Sequence, residues 1–427
     1  MVSISSPHLG VSAVQSNRWL VLVHAATIFL SALLLFQVQP IISRFILPWF
    51  GGTPAVWTTA MLFFQTLLLA GYAYAHLSVQ YFQPVWQLTV HLALLAGAVI
   101  ALPFVPNADW KPADGSHPVA RILLLLTVCV GVPYFVLSTT GPLVQAWFSR
   151  ANPGRSPYRL YSLSNVGSLL ALLTYPFLIE PRLTLGAQAL VWQWAFWLFA
   201  ALCALGAVSS FRGSALERTA SEALDEPEPS SRRLPPALAD GSSHTQRQRG
   251  GPSRKLRSQA EPGNEKPSWQ CRLVWLLLPA LASTALLATT NHACQDVAVV
   301  PFLWIAPLSL YLLSFVVCFD HERWYWPRGT AAITLLVYAF GAVLLLLVLF
   351  HKASPLSTGV KKDDVALSFG GLFCLAMLCH GEVVRLKPHP RHLTEFYLMI
   401  SAGGALGGLF VGVIAPLLFS GYAEWHL

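Results

Sequence analysis

Charge is scarce in this chain: Asp, Glu, Lys and Arg make up 11% of its 427 residues, where a soluble domain of ordinary composition carries about 25%. Hydrophobic residues make up 55%. A folded interior has limited volume and its surface must stay wet, so a soluble core does not absorb that excess. The seven cysteines are scattered, mostly inside apolar runs, with no C-x-x-C pair. That spacing argues against a disulfide framework and a structural zinc site, and leaves them as small core residues. Also missing are a Gly-rich strand–loop–helix and a nucleophile–base pattern. Nothing therefore reads as a soluble catalytic domain.

What the chain has is apolar length. A bilayer core needs about 20 mostly apolar residues per helix. That test predicts six spans in the first half, at 19–43, 54–77, 85–105, 120–146, 159–179 and 186–210. Five follow, at 273–291, 298–319, 329–350, 365–384 and 394–419. The 15 Trp and 24 Phe suit membrane interfaces. The first run follows Arg18 but is too long for a signal peptide and has no small-x-small cleavage site, so it reads as an uncleaved span. The fold class expected is all-α: a polytopic helix bundle of about eleven spans.

Residues 212–268 differ in kind. Segments such as Glu226-Pro227-Glu228-Pro229-Ser230-Ser231 lack apolar periodicity, and no core offsets their ordering entropy. The expected organisation is a membrane half over 1–211, a disordered linker over 212–268 and a second membrane half over 269–427. The net charge of +8 sits almost entirely in the gaps between spans. That distribution sets topology and does not suggest nucleic acid as a partner. The basic linker, with Arg150, Arg155, Arg159, Arg323, Arg328, Arg385, Lys387 and Arg391, predicts a cytoplasmic N-terminus and linker. Lys352, Lys361 and Lys362 run against it.

The halves repeat. Ala32-Leu33-Leu34 matches Ala285-Leu286-Leu287 at an offset of 253, which also places Pro48 on Pro301 and Pro54 on Pro307. Paired prolines mark equivalent helix ends or breaks, because proline lacks a backbone donor. Gly141-Pro142-Leu143-Val144 parallels Gly381-Glu382-Val383-Val384 at 240, and Tyr161 and Gly167 parallel Tyr397 and Gly403 at 236. Loop-length changes produce such drift. Spans one, four and five then correspond to seven, ten and eleven, which implies two like-oriented six-helix halves of major-facilitator type. Only five spans occupy the second half, so a twelfth is expected beyond a truncated end.

Polar groups in hydrocarbon are costly and mark candidate sites. One cluster is Gln37, Gln39 and Arg44; the repeat sets it opposite Thr290, His292 and Val297, with Asn291, Gln295 and Asp296 interleaved. Both are followed by matched prolines, a pattern that points to a transporter-like site. The other is Cys379-His380-Gly381-Glu382 with Arg385. Glu382 and Arg385 can pair at i,i+3, and His380 with Glu382 suits proton coupling. Adjacent Cys379 and His380 point apart on a helix, so no metal is expected, and no cofactor. Gly403, Gly404, Gly407 and Gly408 form a helix-packing stripe, matched by Ser164, Gly167, Ser168 and Ala171. Asn165 reads as a buried hydrogen-bonding residue.

Several strings resemble a known family. They include Phe36-Gln37-Val38-Gln39-Pro40, Leu47-Pro48-Trp49-Phe50-Gly51-Gly52-Thr53-Pro54, Leu137-Ser138-Thr139-Thr140-Gly141-Pro142-Leu143 and Ser164-Asn165-Val166-Gly167-Ser168. Cys379-His380-Gly381-Glu382 and Pro390-Arg391-His392-Leu393-Thr394-Glu395-Phe396-Tyr397 complete the set. Together they resemble bacterial fused major-facilitator/spermidine synthase proteins, over nearly every span. The resemblance implies a bacterial inner-membrane protein whose relatives carry an aminopropyltransferase domain after the spans. No signature of that domain lies between Met1 and Leu427, so no active-site residue carries over.

The leading expectation is therefore a transporter-like membrane domain handling a small, polyamine-like solute. Asp296, Glu382 and Glu395 would supply negative charge, and His292 and His380 proton-linked groups. A second expectation is a non-transporting anchor for a spermidine synthase-like domain, in cis or in trans. A third is a membrane-embedded enzyme built on His380, Glu382 and Arg385. The lipid bilayer is the partner common to all three.

Overall fold

A computed structural model describes residues 8–51, 54–107, 110–111, 118–152, 155–224, 267–296, 305–320, 325, 329–330 and 362–418. Among them, ten helices account for nearly every residue. In chain order they are α1 (His8–Phe50), α2 (Pro54–Tyr81), α3 (Pro84–Ile100), α4 (Pro118–Ala151), α5 (Tyr158–Ile179) and α6 (Leu185–Leu224). The second half has α7 (Trp269–Asp296), α8 (Ile305–Asp320), α9 (Lys362–Arg385) and α10, which runs from Leu393 to Leu418. The span expected at 329–350 lies, but for its first two residues, outside the described residues.

Seven of these helices are long and apolar enough to cross a membrane; α3 and α8 are shorter apolar helices. Large side chains such as Trp19, Leu22, Trp194, Leu198 and Leu277 stand exposed along them. In water that surface would aggregate, and in lipid it is satisfied. The chain is a multi-pass, all-α membrane protein.

Two boundaries differ from the sequence reading. Pro40 and Pro48 lie inside α1, which continues to Phe50. Proline's missing donor is tolerated in a membrane helix where neighbouring groups satisfy the freed carbonyl. The helix of the sixth span continues to Leu224, past the linker boundary expected at 211. Ala215, Leu216, Glu217 and Arg218 are strong helix formers, so the helix extends beyond its apolar stretch, Leu185–Phe211. Residues 225–266 of the linker lie outside the described residues.

Packing follows the internal repeat. Helix α1 packs on α4 and α5, while α7 packs on α9 and α10; α2 packs on α4, while α8 packs on α9. Counting the span expected at 329–350 as ninth, each of these three contacts recurs six spans later. Helix α5 ends in a π-helical turn, Tyr175–Ile179, and α10 carries one at Phe410–Ile414, just before its last turn.

The close approaches refine the register. A Cβ on Gly167 would meet the Phe29 carbonyl, and one on Gly403 would collide with the Leu276 carbonyl. These partners lie 247 positions apart. At 247, buried Ile28 falls on buried Trp275 and exposed Ala26 on exposed Leu273. At 253, buried Trp275 would fall on exposed Leu22. The string match between the first helices of the halves is thus six residues out of register. Leu- and Ala-rich helices match at several offsets, and only close backbone approach selects one.

Two contacts join the halves: α2 against α10 and α5 against α8. They are the same contact seen from either half. A smaller contact joins α4 to α10, and among the described residues no comparable packing joins α1 or α4 to α7 or α9.

Candidate functional site

Helices alternate in direction, so the linker side of the membrane holds the starts of α5, α7 and α10 and the ends of α2, α4, α6, α8 and α9. At this side the halves meet through aromatic rings. Tyr161 of α5 and Tyr397 of α10 stack with centroids 4.7 Å apart and planes at 15°. Both are buried, and Phe319 of α8 lies 4.5 Å from Tyr161. Tyr158 packs edge-on against Phe396 and donates its hydroxyl hydrogen to the Pro388 carbonyl. The Tyr397 hydroxyl donates to Gln145 Oε1 of α4 at 2.8 Å. Gln145 is fully buried and its Nε2 makes no hydrogen bond. An amide with one unmet donor in an apolar place is a strained element, costing about 1–3 kcal/mol. Together these groups tie the two halves to each other at the linker side.

Sequence reasoning used Tyr161 and Tyr397 only as register markers and passed over Gln145. Repeat-related residues meet when they lie near the pseudo-two-fold axis. That was the available signal.

Gln39 of α1 donates to the Tyr134 hydroxyl of α4 at 3.2 Å, which links these two helices. Gln37 is half-buried on α1. Arg44 does not join them: it pairs with Glu180 at the end of α5, 2.7 Å away, on the side opposite the linker. The revised register sets Gln37 opposite Thr284 and Arg44 opposite Asn291. His292, Gln295 and Asp296 fall in the last turns of α7, and their side chains lie outside the described residues.

The structure separates the members of the second cluster. His380 is fully buried between α8 and α9, its ring stacked on Phe315 with centroids 3.6 Å apart. Ser314 Oγ lies 2.7 Å from its Nδ1, and Nε2 is without a partner. Glu382 points elsewhere, taking hydrogen bonds from Tyr325 at 2.8 Å and from Arg385 at 2.9 and 3.0 Å. Burial, and then the carboxylate, raise the Tyr325 pKa above that of an ordinary tyrosine, so it remains a donor. A ring from Tyr325 also covers Gly381.

Glu395 lies in the first turn of α10 and pairs with Arg272 of α7 at 2.8 Å, with His392 3.7 Å away. Beside it, His76 Nδ1 of α2 meets Thr394 Oγ1 at 3.1 Å across the half–half contact. The glycine stripe packs α10 on α7. Gly403 and Gly407 lie against the Leu276 and Ala280 carbonyls, and Ser283 Oγ donates to the Gly404 carbonyl. Gly408 instead faces Gln65 of α2. In the matching helix Asn165 is buried and donates to the Tyr161 carbonyl at 2.8 Å.

No protein-family model matches the sequence, and no curated protein does. Among solved structures, the chain is similar to the major facilitator superfamily proton:xylose symporter XylE bound to 6-bromo-6-deoxy-D-glucose. The TM-score is 0.52 at 12% identity, covering 96% of this chain and 93% of that one. A double-tryptophan mutant of XylE gives a TM-score of 0.49 at 12% identity, over 96% and 92% of the two chains. At that identity the likeness is one of fold. The fold is major-facilitator-like.

Proposed function

We propose that the chain is a solute carrier that works by alternating access, with its two halves rocking about the paired contacts α2–α10 and α5–α8. One observation carries this reading. The halves are joined mainly by two pseudo-equivalent helix pairs, and among the described residues no comparable packing joins α1 or α4 to α7 or α9. A solute bound between those four helices is released to whichever side the rocking opens. Tyr161, Tyr397 and Gln145 form the linker-side gate.

The solute class we propose is a small, polyamine-like cation. Its support is the resemblance to the membrane part of fused spermidine synthase-like proteins. Glu382 and Glu395 are each neutralised by an arginine, which leaves Asp296 as the carboxylate to recognise an ammonium group, with Gln37 and Gln39 as neutral partners. The same resemblance, together with the basic linker side, supports placement in a bacterial inner membrane with the N-terminus and linker cytoplasmic.

Uptake of labelled putrescine and spermidine by proteoliposomes holding the full chain tests the proposal. Saturable uptake, lost in Asp296→Asn, is the expected result. Uptake no faster than in empty vesicles would reject the polyamine class. If these solutes are not carried but a spermidine synthase-like protein co-purifies with the chain, the anchor reading replaces transport.

A further inference from the structure

A cavity of about 690 Å³ opens at the linker side, beside the tyrosine gate. Its walls come from both halves: the ends of α2 and α4 from one, and the start of α7, the 389–392 segment and the start of α10 from the other. Three arginines line it, Arg150, Arg272 and Arg391, against one carboxylate, Glu395. His76 and His392 add donors. Glu395 is occupied by Arg272, so the cavity as a whole remains electropositive. Arg150 is held by Gln87 Oε1 of α3 at 3.1 Å, and the same oxygen accepts from Trp147 at 3.1 Å. A fixed guanidinium loses little freedom when it binds.

Basic residues at this side are expected from topology alone. Topology does not require them to converge on a cavity shared by two halves. Guanidinium groups gathered at one cavity favour an anionic occupant. Guanidinium forks match phosphate oxygens in shape as well as charge, and the volume falls in the range of pockets that hold small organic ligands.

We propose that this cavity binds a phosphate-bearing group, either a free phosphorylated metabolite or the headgroup of an anionic phospholipid. A ligand there touches both halves and favours the closed linker side.

The test uses the full chain purified in detergent, with two probes: sn-glycerol 3-phosphate, and dihexanoyl-phosphatidylglycerol below its micellar concentration. Calorimetric titration is expected to show saturable binding of at least one. Binding of the soluble probe assigns a free anion, and binding of the lipid alone assigns a headgroup. Arg150→Gln should weaken binding roughly tenfold, the loss of one charge-assisted contact. Ser149→Glu, which adds a carboxylate at a lining position while keeping every arginine, should do the same even if Arg150→Gln folds poorly. Arg182→Gln, between α5 and α6 on the opposite side, should bind as the parent does. Bound probe should also slow maleimide labelling of a cysteine placed at Ala146. Failure of both probes to bind saturably would overturn the proposal. So would equal affinities of the parent and Ser149→Glu, or equal weakening by Arg182→Gln.

Discussion

Tyr161 and Tyr397 occupy equivalent positions in the two halves and stack on each other at 4.7 Å. A residue touches its own repeat partner only near the axis that relates the halves. In the proposed rocking motion the halves part at this contact. The Tyr397 hydroxyl is held by Gln145, whose second amide group makes no bond. Such a junction is closed without being deeply stable.

Removing that hydroxyl should loosen the gate. In Tyr397→Phe the Gln145 amide loses its remaining partner, a cost of about 1–3 kcal/mol to the closed form. In a background without native cysteines, a cysteine at Ala146, next to Gln145, should then react faster with a membrane-impermeant maleimide added from the linker side. Tyr397→Ala should accelerate it further. Equal rates in all three proteins would mean that these rings do not gate access.

Neighbouring glycines of α10 should behave differently. A Cβ on Gly403 collides with the backbone of α7, whereas Gly404 has open space. Gly403→Ala is expected to lower the thermal midpoint in detergent, because two backbones must separate. Gly404→Ala should leave it unchanged or raise it, given a helix-propensity gain of up to about 1 kcal/mol. Thermal melts of the two variants side by side give the answer.

His380 and Asp296 should also separate. His380 is packed on Phe315 and bonded to Ser314, so His380→Ala creates a cavity, although the Ser314 hydroxyl keeps its bond to the Tyr311 carbonyl. A loss of about 2–4 kcal/mol in stability is expected. Asp296→Asn should leave the melt unchanged and abolish uptake. Normal uptake in Asp296→Asn would show that this carboxylate does not recognise the solute, whereas unchanged cellular activity in both variants without any uptake would favour a passive anchor over a carrier.

The spans were legible because bilayer thickness fixes how long an apolar run must be. The repeat was legible in Tyr161, Gly167, Tyr397 and Gly403, since tyrosine and glycine are rarer in such helices than leucine. Register in α1 and α7 was not, because Ala32-Leu33-Leu34 and Ala285-Leu286-Leu287 are made of residues that match almost anywhere. The site was harder still. Arg44 reads as part of a polar cluster with Gln37 and Gln39, but its partner Glu180 lies far along the sequence. Likewise His380 and Glu382 are two residues apart yet serve different neighbours, Ser314 and Tyr325. Sequence spacing reports the face of one helix, and which helix covers that face is decided by packing across the bundle.

Spin labels at Tyr81 and Leu386, which end α2 and lie just past α9 on the linker side, measure the movement of one half against the other without any knowledge of the solute. Pulsed electron–electron resonance of the full chain in lipid nanodiscs should return two distances, the shorter one with the Tyr161–Tyr397 stack closed. Tyr397→Ala should shift population to the longer distance. A single distance, unmoved by Tyr397→Ala, would contradict rocking halves gated at that stack.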